Sequence, residues 1–219
     1  MPRVTAAHEQ AVHKRIVDAA ISVFGEMGFQ RATIQDVVRA SGLSVGAVYS
    51  HFRSKEELFV VACQCEMEEQ KAELRLRMAE LSPLSDRLRS AVDFAVASAM
   101  EDNNERSFRA HSWTHADGSP ELRQILRDRH TEMVAFSRLV LHEALVRGEL
   151  PAWIDADRIG SAFVTLMDGF VVRAIEGADL STDDARREAY SLLELLLAAP
   201  REAPEAVEKL RSPAMGSAG

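Results

Sequence analysis

Cysteine, aromatic residues and alternating strand patterns are all scarce in this chain. Of its 219 residues only two are cysteine and 6% are aromatic. Cys63 and Cys65 stand two apart within a helical pattern, where side chains face different ways and do not readily bridge. A disulfide framework is therefore not expected, and a reducing, cytoplasmic setting is. With 47% hydrophobic residues the chain is long enough to bury a core without covalent support. Strand formers rarely alternate, whereas Ala, Leu, Glu, Arg and Met recur at helical spacing, so the expected class is all-α. A membrane-length apolar run and a secretory segment are both missing, which points to a soluble protein. There is also no Gly-rich phosphate loop, nucleophile elbow, HExxH motif or paired cysteine ligands, so no cofactor, catalytic residue or metal is expected.

Positive charge is short overall, with 26 basic residues against 34 acidic ones and a net charge of −8. The shortage is uneven. Up to Lys55 there are seven basic and four acidic residues, and beyond it nineteen and thirty. Only the first segment suits a polyanion.

What is present is a series of helix signals. Ile16, Ala19, Ala20, Val23 and Phe24 form one face of a first helix ending at Gly28. Thr33 caps a second, with Asp36 as an acidic capping-box partner, and Gly42 stops it. Ser44 caps a short third helix running to about Phe52, and Ser54 with Glu57 opens a fourth. That helix has no breaker until Ser82-Pro83, so it is expected to leave the first domain and act as a strut into a second. Further helices are expected over 84–102, 105–115, 120–147, 156–176 and 182–198. The expected organisation is 1–55 with a basic arm over 1–10, then 56–199, then a partly disordered tail over 200–219.

Helix, glycine turn and short slim helix, laid over a basic segment, is the pattern of a helix-turn-helix DNA reader. Val48 and Phe52, four apart, anchor the third helix inward, leaving Val45, Gly46, Ala47, Tyr49, Ser50 and His51 outward. Gly46 and Ala47 permit close approach, Tyr49 and His51 can donate to phosphates, and Ser44 and Lys55 sit at helix N-termini that favour anions. Base readout falls to Val45 and Ala47 against thymine methyls, to Ser50, and to Gln35 of the second helix.

The stretch "ATIQDVVRASGLSVGAVYSHFRSKEELF", with "IVDAAISVFGEMGF" before it, closely resembles the DNA-binding domain of the TetR family of bacterial transcriptional regulators. Thr33, Val38, Gly42, Ser44, Gly46, Tyr49, Phe52, Lys55 and Leu58 fall where that family has its typical residues. The resemblance implies a nine-helix fold, a homodimer, a double-stranded operator, and repression relieved by a small ligand in the second domain. It also implies phosphate contacts at Thr33, Ser44, Tyr49, His51 and Lys55, and base contacts at Gln35, Val45, Gly46 and Ala47. Val45 departs from the polar or basic residue that many relatives carry there, so shape readout is expected to share the work.

Beyond about Glu57 the resemblance is one of layout. Ile159, Phe163, Leu166 and Phe170, with Leu192 and Leu196, lie on helices too apolar for one-sided burial, and are expected at a dimer interface. A wholly intramolecular core is the alternative. Phe94, Met100, Phe108, Trp113, Met133, Phe136 and Met167 are candidates to line an apolar effector cavity, Trp113 and Phe136 above all. Arg106 and Arg109 suit an anionic effector, but a solvated helix face accounts for them at least as well. His111 and His115 have a spacing able to hold a metal, yet lack supporting ligands. Asp168, inside an apolar stretch, requires a partner and is expected near the cavity or dimer seam. The competing functions are a DNA-binding protein without an effector, and a helical enzyme or carrier built on the cavity.

Overall fold

Nine α-helices and one 3-10 turn make up the described residues of the computed structural model, which are 6–79, 83–100, 104–176 and 181–205, residue 117 by its backbone alone. Most of the basic arm, the Ser82 stop, the expected helix end at Asp102 and the tail beyond residue 205 lie outside them. The helices are α1 (Ala6–Arg31), α2 (Ile34–Ser41), α3 (Val45–His51), α4 (Lys55–Ala79), α5 (Leu84–Met100), α6 (Asn104–His115), α7 (Pro120–Val146), α8 (Ala156–Ile175) and α9 (Thr182–Leu197).

The caps explain the boundaries. Gly28 breaks helical conformation at φ 74° and ψ 155°, close to where the sequence places the end of the first helix. Thr33 and Asp36 form a reciprocal box: the Asp36 amide donates to Thr33 Oγ1 (3.3 Å) and the Thr33 amide donates to Asp36 Oδ2 (3.0 Å). Gly42, at φ 63°, closes α2 by donating to Val38 O. At α4 the box is displaced by one residue. The Glu57 amide donates to Ser54 Oγ, while Glu57 Oε2 accepts from the Arg53 amide at 2.7 Å.

Two apolar cores result. The first gathers Ile16, Phe24, Val37, Val48, Phe52, Leu58 and Phe59 from α1–α4, and it is completed from further along the chain by Phe108, Ala116 and Leu122. The second lies among α5, α7, α8 and α9 and the far half of α4. Phe108 is thus not an effector-cavity residue: it is 1% exposed and packs against Phe24 and Phe59, at 6.5 and 5.4 Å between ring centroids. Its helix has two working faces, and sequence alone did not say which one Phe108 would join.

The α1–α6 seam is especially close at Gly25, where a Cβ would meet the Asn104 carbonyl oxygen at 2.2 Å. Gly25→Ala is therefore expected to prise the seam apart and cost about 1–3 kcal/mol. Thermal unfolding should show a midpoint several degrees lower; an unchanged midpoint would mean that α6 is not seated on α1.

Candidate nucleic-acid interface and effector cavity

The third helix turns the expected side outward. Val48 is fully buried and Phe52 is 2% exposed, whereas Tyr49 is 52% exposed and Val45 40%. Gly46 and Ser50 are exposed with them, as is Gln35 on α2, and Ala47 is half-buried. The Ala47 amide donates to Ser44 Oγ at 3.1 Å, which fixes the start of the helix. A Cβ on Gly46 would touch nothing within 4 Å, so its bare backbone serves no packing need inside the chain.

Four of the sequence candidates are otherwise engaged in the free chain. Lys55 Nζ donates to Phe29 O (2.9 Å) and Ala32 O (3.1 Å) and lies 4.3 Å from the Phe29 ring centroid. Its ammonium thus caps the end of α1. Thr33 Oγ1 donates to Asp36 Oδ2 at 2.6 Å, a bond that holds the Asp36 carboxyl below its ordinary range. Ser50 Oγ donates to Ala47 O at 2.7 Å. His51 is half-buried, its ring 5.8 Å from that of His13, which also tilts over Phe52 at 5.0 Å. Burial, and to a lesser degree the charge of His51, push the His13 pKa down. Arg39 and Arg53 are also exposed on this segment, Arg39 as the ion partner of Asp36 at 3.3 Å. Lys55→Ala is expected to cost about 1–3 kcal/mol by uncapping two carbonyls. Urea unfolding tests this, and a loss of operator affinity at unchanged stability would restore the phosphate role.

The second feature is a cavity of about 110 Å³ between α4, α5, α6, α7 and α8. Phe94, Trp113, Met133 and Met167 line it as the sequence suggested, joined by Met67 and Phe163. Met100 and Phe136 do not line it; both pack against the second core, and Phe136 lies under Arg75. The wall also holds charges, two of them, Arg109 and Asp168, on residues that the sequence singles out. Arg109 Nη1 donates to Glu66 Oε1 at 2.7 Å and its Nη2 to Ser98 O, tying α6 to α4 and α5. Burial pushes the Glu66 carboxyl up, and the Arg109 guanidinium opposes that shift. Arg129 Nη2 donates to Asp168 Oδ1 at 2.5 Å, and His130 Nδ1 lies 3.0 Å from the other oxygen, so Asp168 is paired as its burial requires. Glu66 and Arg129 sit in charged runs that look like any solvated helix face. Asp168, isolated among apolar residues, and Arg109, suited to an anionic effector, are the two that the sequence marks.

His111 and His115 are used in packing. The His111 ring lies against Gly28 and that of His115 stacks 4.2 Å from Phe29. The expected interface residues divide between inside and outside. Phe163 faces the cavity, Phe170 is 3% exposed within the second core, and Ile159 packs on that core. Leu196 is half-buried against the same core. On α8 and α9 the large apolar side chains left outside are Leu192, Leu195 and Val172, and Val172 lines an open groove with Leu166, Gly169 and Phe170. Because α8 is apolar nearly all round, its pattern could not tell an inner stripe from an outer one.

Residues 16–62 match the description "Bacterial regulatory proteins, tetR family", and residues 84–199 match "BetI-type transcriptional repressor, C-terminal". The chain belongs to the TetR family. Among its TetR-type relatives is the HTH-type regulator YfiR of Bacillus subtilis, 30% identical over 82% of this chain and 90% of that one. The transcriptional repressor Rv1474c of Mycobacterium tuberculosis is 28% identical over the same shares. A transcriptional regulator from Saccharomonospora viridis, solved in complex with choline, shares the fold with a TM-score of 0.74 at 19% identity, covering 84% of this chain and 96% of the other. The TetR assignment makes the chain a helix-turn-helix transcriptional regulator. No helix among the described residues is long and apolar enough to cross a membrane.

Proposed function

We propose that the protein is a dimeric repressor whose α3 helices enter successive major grooves of a near-palindromic operator, about 34 to 36 Å apart, and that a small molecule in the cavity releases it. The observation that carries the reading is the double membership of α4. Leu58, Phe59 and Ala62 belong to the core behind the DNA reader, and from about one turn further on Glu66, Met67, Lys71 and Leu74 form part of the cavity wall. A ligand that favours one position of that wall biases the placement of the reader in the same step. The exposed Leu192, Leu195 and Val172, with a glycine notch at 169, support α8 and α9 as the pairing face, since close helix approach needs small residues beside apolar ones.

The test is a gel-shift titration of operator DNA with and without candidate ligands. Coupling of about 1–3 kcal/mol would lower operator affinity roughly 5- to 150-fold. Equal ligand affinity in the presence and absence of operator would remove the coupling. A DNA-binding protein without an effector is the surviving alternative in that case, and the filled helical bundle it requires is disfavoured by the cavity.

A further inference from the structure

We infer that His13 on α1 and His51 on α3 work as a proton-linked pair at the edge of the DNA reader: His51 takes up a proton as it meets a backbone phosphate, and His13 stands behind it as a neutral support. His13 is thus a positioning residue for DNA binding, and operator affinity rises as pH falls. This rests on the operator reading above and adds its pH dependence.

The placement of the two rings carries the inference. They lie edge to face with centroids 5.8 Å apart, and His13 also tilts over Phe52 at 5.0 Å. Phe52, 2% exposed, belongs to the first core, so His13 fills the seam between α1 and the end of α3. His51 is half-buried in the same helix that presents Val45, Tyr49 and Ser50 outward. Two cationic rings at this spacing repel, so the pair favours a single proton. Burial keeps charge off His13, and the charge of His51 opposes it further, which leaves His51 as the ring that carries the proton.

Among the described residues no carboxylate forms an ion pair with either ring, whereas His130 and His142 pair with Asp168 and Asp157 at 3.0 and 3.2 Å. The charged groups around the pair are directed elsewhere. Lys14, next along α1, is bonded to Asp18 and to Glu69 of α4. Arg15 reaches Gly42 at the end of α2, and Glu57 of α4 accepts from the Arg53 amide. Glu9, one turn before His13, and the Arg53 side chain are exposed to solvent. An imidazolium left without an internal counter-ion at the edge of a DNA reader takes a phosphate as its partner. A group that holds its proton more tightly in the complex than in the free chain adds affinity below its bound-state pKa and loses it as pH rises.

The test measures affinity by fluorescence anisotropy at fixed ionic strength, using a labelled duplex recovered with the full chain from a random-sequence pool. The unaltered chain is expected to bind about three- to tenfold more tightly as pH falls through the imidazole range, roughly 7.5 to 6. His51→Gln should flatten this profile. His13→Lys sets a permanent charge behind His51 and should displace the rise to lower pH, an effect distinct from the uniform tightening that an added cation gives by itself. His13→Phe, neutral and able to keep the stack on Phe52, should leave the rise in place. If a variant does not fold, the imidazole Cε1 proton resonances of the unaltered chain decide, with His51 required to titrate at higher pH in the complex than in the free chain. A flat profile, or a rise that survives His51→Gln, that His13→Lys leaves unmoved or that His13→Phe abolishes, overturns the pair and leaves the operator reading standing. Retention of no duplex at any pH removes both.

Discussion

Gly46→Glu is expected to leave the fold intact and to weaken operator binding by about a hundredfold or more. The new side chain meets no neighbour within the protein, since a Cβ at Gly46 has open space around it. A carboxylate in the first turn of α3 is if anything mildly favourable to the helix. On DNA the same group occupies the space through which backbone and small side chains reach base edges, and it brings a negative charge among phosphates. Each lost base contact is worth about 1–3 kcal/mol and the electrostatic term adds to it. Fluorescence anisotropy with labelled operator, paired with a melting curve, separates the two effects. Wild-type affinity in a normally folded variant would mean that α3 lies away from the groove.

Arg109→Met carries the largest expected loss of stability, about 3–5 kcal/mol, because it leaves Glu66 buried without its counter-ion. The pH dependence gives the test its specificity. Burial already raises the Glu66 pKa above the ordinary glutamate value of 4.5, and loss of Arg109 raises it further. Between 4.5 and the raised value the folded state binds the proton that the unfolded chain releases. Stability therefore falls as pH rises through this window and is regained as pH drops. Denaturant midpoints measured from near neutrality downwards should show the gap between variant and wild type narrowing. A gap that stays constant with pH would place the cost in lost packing of the arginine stem, with Glu66 uninvolved.

The first sixty residues were legible because their information is local. Caps at Thr33 and Ser44, a left-handed glycine at position 42 and the inward pair Val48 and Phe52 each depend on neighbours three or four residues away, so spacing alone determined them. The cavity was legible only where residue type and position agreed, as at Trp113 and Met133. Phe108 was misplaced since α6 packs on α1 with one face and lines the cavity with another, and a phenylalanine fits either. Phe163 and Phe170 turn inward for a related reason: α8 is apolar beyond one stripe, and the choice of buried side depends on packing against α5 and α7, which spacing within α8 does not encode. The Glu66–Arg109 pair joins residues forty-three positions apart, and nothing near either one signals the other.

The claim beneath the whole account is that the outer side of α3 rests on duplex DNA, and photo-crosslinking addresses it directly. A photoreactive amino acid is placed at Val45 in one chain and at Val146 in another; the latter is 89% exposed at the end of α7, next to residues of the second core. The account predicts that operator DNA is captured from position 45 and not from position 146. Capture from 146 with none from 45, in chains that both shift the operator, would contradict it.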